Sequence, residues 1–158
     1  MIKGLEYLFL GNNQLDYLPE EFGNLRTLKL LILKNNKLST FPSTINRCNK
    51  IREIYLQENQ LTSISNTISE CKELEVLRLE RNKIEELPVD IGNLEKLKVL
   101  VFKLNPLSRV PTSIIKIKKL KSIDLQWNLL QSDFNMYRDW LNELDKKGCQ
   151  IKLHEKWE

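Results

Sequence analysis

The sequence predicts an α/β solenoid, with a curved parallel sheet on the concave side and 3-10, short helical or extended segments on the convex side. A capping helix closes its C-terminal end. Three observations predict it. Aliphatic residues return every 23 residues through six copies without insertion or deletion. An asparagine holds the same place in every copy, and a period-2 hydrophobic alternation recurs just before it.

Each copy opens on Leu5, Leu28, Ile51, Leu74, Leu97 and Leu120. Three residues on come Leu8, Leu31, Ile54, Leu77, Leu100 and Ile123, and two further on Leu10, Leu33, Leu56, Leu79, Phe102 and Leu125. That alternation belongs to a strand with one buried face. The asparagines follow as Asn13, Asn36, Asn59, Asn82, Asn105 and Asn128, and then an aliphatic residue at Leu15, Leu38, Leu61, Ile84, Leu107 and Leu130. Where the chain turns out of the strand, backbone groups face inward without a ladder partner. A carboxamide supplies both donors and an acceptor for them, so the asparagines read as a structural ladder.

The return half repeats too. Leu18-Pro19, Phe41-Pro42, Leu87-Pro88 and Val110-Pro111 share a slot from which Ile64-Ser65 departs. Phe22, Ile45, Ile68, Ile91 and Ile114 fill the next apolar slot, and Leu25, Cys48, Cys71, Leu94 and Ile117 the one after. Proline suits an extended return where its missing N–H costs nothing. One coil buries too few side chains to offset the entropy of ordering 23 residues, so stability has to come from stacking.

The pattern ends after Leu130, where Asp133 replaces the apolar slot. Phe134, Tyr137, Trp140, Leu141 and Leu144 then recur at helical spacing, with Asp133 as N-cap and Gly148 as the stop, so a helix is expected over 133–147. Cys149, Ile151 and Leu153 alternate and predict one last short strand, which would set Lys152 beside Asp124. The expected organisation is one domain over 1–158, with repeats starting at 5, 28, 51, 74, 97 and 120 and a C-terminal cap over 133–158. Only Met1, Ile2 and Lys3 precede the first repeat. Three explanations stand for that thin edge: a short segment suffices, the chain is a fragment, or the edge pairs with a second copy.

LxxLxLxxNxL followed by LPxxIxxL resembles the 23-residue class of leucine-rich repeat, and the likeness covers roughly residues 4–133. Similar repeats occur in leucine-rich-repeat families of pathogenic, notably spirochaetal, bacteria and in Ras-pathway scaffold proteins. The resemblance implies a leucine-rich-repeat solenoid that acts as a protein-interaction module. It is specific for fold and much less so for function.

In such a fold the residues flanking the buried leucines line the concave groove. Tyr7, Phe9, Leu30, Ile32 and Tyr55 form one apolar zone, and Val76, Val99, Val101, Leu104 and Trp127 a second. Glu53, Arg78, Glu80 and Arg81 lie between them, with Asp124 at the far end of the Phe9 column. A contiguous apolar surface rich in aromatics and arginine marks an interaction site. The competing explanation is that Val, Ile, Tyr and Phe simply suit strands. The expected function is binding another protein on the concave face, in the manner of a bacterial protein directed at host components. The alternative is a self-associating scaffold that forms a homodimer through its uncapped N-terminal edge.

Other chemistry is not expected. Hydrophobic content of 41% and charged content of 29% are those of a soluble folded chain, and a net charge of +4 is too small to argue for nucleic acid. Lys116, Lys118, Lys119 and Lys121 form the densest basic run, and most fall on the return half, where they read as a solvated face. His154 stands alone in the tail, Cys48 and Cys71 share a buried slot, and Cys149 falls in the last strand. No metal cluster, phosphate-cradling loop or Ser-His-Asp set is present, so neither cofactor nor enzyme activity is expected. About 25 residues follow the repeats, too few for the ubiquitin-ligase domain of some bacterial relatives. There is no transmembrane-length apolar run. Three scattered cysteines and no signal peptide make a cytoplasmic location the default, although a secreted protein stripped of its leader reads the same.

Overall fold

The computed structural model describes residues 4–130 and 134–153. Six three-residue strands alternate with short returns: β1 (Tyr7–Phe9), β2 (Leu30–Ile32), β3 (Glu53–Tyr55), β4 (Val76–Arg78), β5 (Val99–Val101) and β6 (Ser122–Asp124). Helix α1 (Phe134–Lys146) and strand β7 (Gln150–Lys152) follow. All seven strands join one open parallel sheet in chain order. Tyr7 pairs with Leu30, Leu30 with Glu53 and Glu53 with Val76, so the 23-residue period becomes a strand register without a slip.

The returns carry five 3-10 turns, at Glu20–Asn24, Ser43–Arg47, Asn66–Glu70, Ile91–Asn93 and Thr112–Lys116. Pro19, Pro42 and Pro111 sit in extended conformation just before three of them, where their fixed φ feeds the turn. The coil without proline uses another device: Ser65 Oγ accepts from the Thr67 N–H at 3.3 Å.

Stacking closes the core. Leu31, Ile54, Leu77, Leu100 and Ile123 are buried, and so are Leu33, Leu56, Leu79, Phe102 and Leu125 beside them. The first coil differs, since Leu5, Leu8, Leu10, Leu15, Leu18 and Leu25 pack against the core only partly buried. On the convex side two glycines let coils approach closely. A Cβ at Gly92 would lie 2.1 Å from the Ser113 carbonyl oxygen, and one at Gly23 2.6 Å from that of Thr44. The six-copy alignment gave no warning of these contacts, because the slot holds Asn46, Ser69 and Ile115 in the other coils.

At the far end α1 lays Tyr137, Trp140 and Leu144 into the core, with the two rings edge-to-face at 5.8 Å. Gly148 takes φ +75°, its N–H donates to Asp145 O, and the Cys149 N–H donates to Leu144 O. That pair of bonds is a Schellman stop, which needs a left-handed residue at this position. Strand β7 then sets Ile151 beside Ile123 and Lys152 beside Asp124. The expected N-cap Asp133 and the tail His154 lie outside the described residues, as do Met1, Ile2 and Lys3.

Candidate functional site

Strand register decides which side chains meet on the face opposite the core. Tyr7, Leu30, Glu53, Val76 and Val99 form one column, and Phe9, Ile32, Tyr55, Arg78, Val101 and Asp124 the next. Tyr7 and Phe9 are 55% and 64% exposed, while the other members of both columns are half-buried. Glu80 and Leu104, farther along their coils, are half-buried too, and Trp127 is 56% exposed.

The charged middle is internally paired. Tyr55 Oη donates to Glu53 Oε2 at 2.7 Å, and on the neighbouring strand Arg78 pairs with Glu80. Burial pushes the Tyr55 phenol up, and its bond to Glu53 adds to that shift. Arg81 stands 3.9 Å from Glu58, both well exposed. The face thus has two apolar ends around a charged centre that is tied together by its own hydrogen bonds and ion pairs.

The asparagines lie just beyond the strands, at the back of this face. Asn59 is typical: Nδ2 donates to Leu56 O of its own coil and Leu33 O of the preceding one, both at 3.0 Å. Its Oδ1 accepts the Leu38 N–H at 3.1 Å. Asn36, Asn82, Asn105 and Asn128 reach across in the same way. Asn13 is different: among the described residues its Nδ2 bonds only Leu10 O and Gly11 O of its own coil, and it is exposed.

The residue before each asparagine holds a left-handed backbone, with φ between 54° and 59° at Asn12, Asn35, Glu58, Arg81, Leu104 and Trp127. Asparagine tolerates this region, whereas a bulky residue is strained there. Sequence reasoning placed Arg81, Leu104 and Trp127 along the groove but missed the backbone of the whole column. The signal was present in Asn12 and Asn35, a residue type suited to left-handed turns. A further missed feature is a ladder of ion pairs between coils beside the strands: Glu6–Lys29 at 2.8 Å, Glu73–Lys96 at 2.6 Å, and Glu75–Lys98.

The cysteines sit in the core. Cys48 Sγ donates to Phe22 O and Cys71 Sγ to Ile45 O, each reaching the preceding coil. Burial pushes the two thiols up to about 11 and about 12. Among the described residues no group of three His, Cys, Asp or Glu is arranged to hold a metal ion, and no helix is long and apolar enough to cross a membrane.

Two family models described as leucine-rich repeat match the chain, one over residues 72–130 and one over 4–25. No curated protein matches it. Among solved structures, a leucine-rich-repeat protein of Leptospira interrogans is 33% identical with a TM-score of 0.86, over 94% of this chain and 37% of that one. The leucine-rich-repeat ectodomain of the Arabidopsis thaliana receptor kinase GASSHO1/SCHENGEN3, solved in complex with CASPARIAN STRIP INTEGRITY FACTOR 2, is 31% identical with a TM-score of 0.71. That match covers 78% of this chain and 16% of that one. An internalin of Listeria monocytogenes shares the fold at 19% identity and a TM-score of 0.79, over 94% of this chain and 43% of that one. The chain thus spans less than half the length of each of these structures. Leucine-rich-repeat folds generally mediate protein–protein interaction, and their proteins are typically non-enzymatic. The repeats, the open parallel sheet and these matches agree: the chain belongs to the leucine-rich-repeat family.

Proposed function

We propose that this protein is an interaction module that binds another protein on the concave face of its sheet. The carrying observation is the exposure of large apolar side chains, Tyr7 and Phe9 in columns opposite the core that also hold Tyr55, Val99 and Val101, and Trp127 at the turn beyond the sheet. Tyrosine, tryptophan and arginine are the residues that anchor interfaces, and the paired centre supplies polar specificity between two apolar ends. The plant ectodomain lends support as a relative whose repeats were solved in complex with another factor, and the Leptospira protein supports a bacterial setting.

The test is a pull-down with intact protein beside the variants Tyr55→Glu and Val101→Asp. A partner held by the wild type should be lost by both, while each variant still unfolds in one cooperative transition, its urea midpoint lowered only by the like charge it meets, Glu53 beside position 55 and Asp124 beside position 101. A collapse in stability would mean that these side chains belong to the core. A second reading, self-association through β1, rests on the half-buried Leu8 and Leu10 of the first coil and on Asn13, whose carboxamide bonds within one coil among the described residues. Light scattering behind size-exclusion chromatography decides it: a strict monomer at high concentration sinks that reading.

A further inference from the structure

Two adjacent columns change character in the same two coils. The left-handed position runs Asn12, Asn35, Glu58, Arg81, then Leu104 and Trp127. Two residues further along each coil, the column runs Gln14, Lys37, Gln60, Lys83, then Pro106 and Leu129. Four polar members are followed by two apolar ones in both. The backbone keeps the positions side by side, since Leu104 N donates to Gln126 O and Arg81 N to Lys103 O.

Core packing does not account for this switch. Trp127 and Leu129 are 56% and 67% exposed, and Leu104 and Pro106 are half-buried. Leucine and tryptophan are also poor occupants of a left-handed site that asparagine fills in the first two coils. Strain held at an exposed position points to a task for the side chain rather than the backbone. The border of the patch is basic. Arg81, which faces Glu58, and Lys83 lie one coil before Leu104 and Pro106, and Lys103 precedes Leu104; neither lysine has an ion pair among the described residues.

We infer that Leu104, Pro106, Trp127 and Leu129 form a docking surface at the rim, where the chain leaves the sheet, for a protein segment whose apolar side chains are bracketed by carboxylates. The apolar patch takes the hydrophobic anchor, and Lys83 and Lys103 take the acids. This rests on the interaction-module reading and gives it a subsite, moving the energetic centre from the middle of the sheet to the rim of the last two coils.

The test uses the intact protein, a displayed library of random dodecapeptides as probe, and the double variant Leu104→Asn/Trp127→Asn. Asparagine already serves this backbone at two coils, so the variant should unfold at the same or a higher urea concentration than wild type. Enriched peptides should combine Leu, Phe or Trp with Asp or Glu and bind the variant at least tenfold more weakly. Lys83→Glu/Lys103→Glu should weaken the same peptides by a similar factor. The inference is overturned by a clear loss of stability in the asparagine variant, which would make the side chains structural. It is equally overturned by peptides without carboxylates, by unchanged binding to the variant, or by no enrichment at all. Peptides lost with Tyr55→Glu but kept by the asparagine variant would sink the rim and spare the groove; the reverse pattern would sink the centre of the groove and keep the rim.

Discussion

Replacing Asn82 by alanine removes one rung of the asparagine ladder, and the structure sets the size of the loss. Asn82 Oδ1 accepts the Leu61 N–H at 3.0 Å, the one bond of this set for which no other acceptor is at hand among the described residues. That buried donor is left unsatisfied, at about 1–3 kcal/mol. Nδ2 also donates to Leu56 O at 2.9 Å and Leu79 O at 3.0 Å. Each of those carbonyls keeps a second donor, Asn59 Nδ2 on Leu56 O and Asn105 Nδ2 on Leu79 O. Only the net worth of each bond goes, about 0.5–1.5 kcal/mol. The expected destabilisation is therefore about 2–6 kcal/mol. Asn13→Ala is the internal control. Its two bonds join exposed groups of a single coil, and it accepts no backbone N–H among the described residues, so its loss should stay below about 1 kcal/mol. Urea unfolding followed by far-ultraviolet circular dichroism measures both, and amide exchange at Leu61 reports the orphaned donor. Equal effects at Asn82 and Asn13, or a change under about 0.5 kcal/mol at Asn82, would refute the reasoning.

Gly92→Ala should be destabilising by about 1–3 kcal/mol or more, because the new Cβ meets the Ser113 backbone rather than a yielding side chain; a wild-type urea midpoint contradicts the close approach. Cys48 and Cys71 should resist a thiol reagent at pH 8 until the chain unfolds, while rapid native-state labelling would place them outside the core. Their folded pKa values lie above the ordinary 9.0, so the stability they contribute is fully present below pH 9. It is lost as pH rises toward about 11 for Cys48 and about 12 for Cys71. Above pH 9 the unfolded thiols ionise first, and unfolding free energy should fall by about 1.4 kcal/mol per pH unit for each thiol. The Cys48→Val/Cys71→Val variant should lack that part of the slope, and identical slopes would refute the burial argument.

The repeat period made the architecture legible before any coordinates. A strict 23-residue spacing can be satisfied only if equivalent residues stack, and the parallel register of Tyr7 on Leu30 through Val101 on Asp124 follows from it. The cap was legible for another reason: helical spacing at Tyr137, Trp140 and Leu144 and a glycine stop at Gly148 are local signals, and both act in α1. Its last residue came out one position early, at Lys146, as helix ends commonly do, and the expected first residue, Asp133, lies outside the described residues. The two columns of side chains opposite the core could also be read, because strand alternation assigns faces on its own.

What stayed hidden depends on approach between coils, which leaves no mark in composition, or on backbone torsion, which only Asn12 and Asn35 hint at. Gly23 and Gly92 matter through carbonyls one coil away. Asn13 looks identical to its five counterparts in sequence and differs only because its bonds stay within one coil. The ion pair of Arg78 with Glu80 and the hydrogen bond of Tyr55 to Glu53 tie the charged centre together within the face. The left-handed turn gives Glu58, Arg81, Leu104 and Trp127 a strained backbone at an exposed rim. A 23-residue period determines which residues share a slot; the contacts between slots, set by distances of a few ångströms, are decided only when the coils stack.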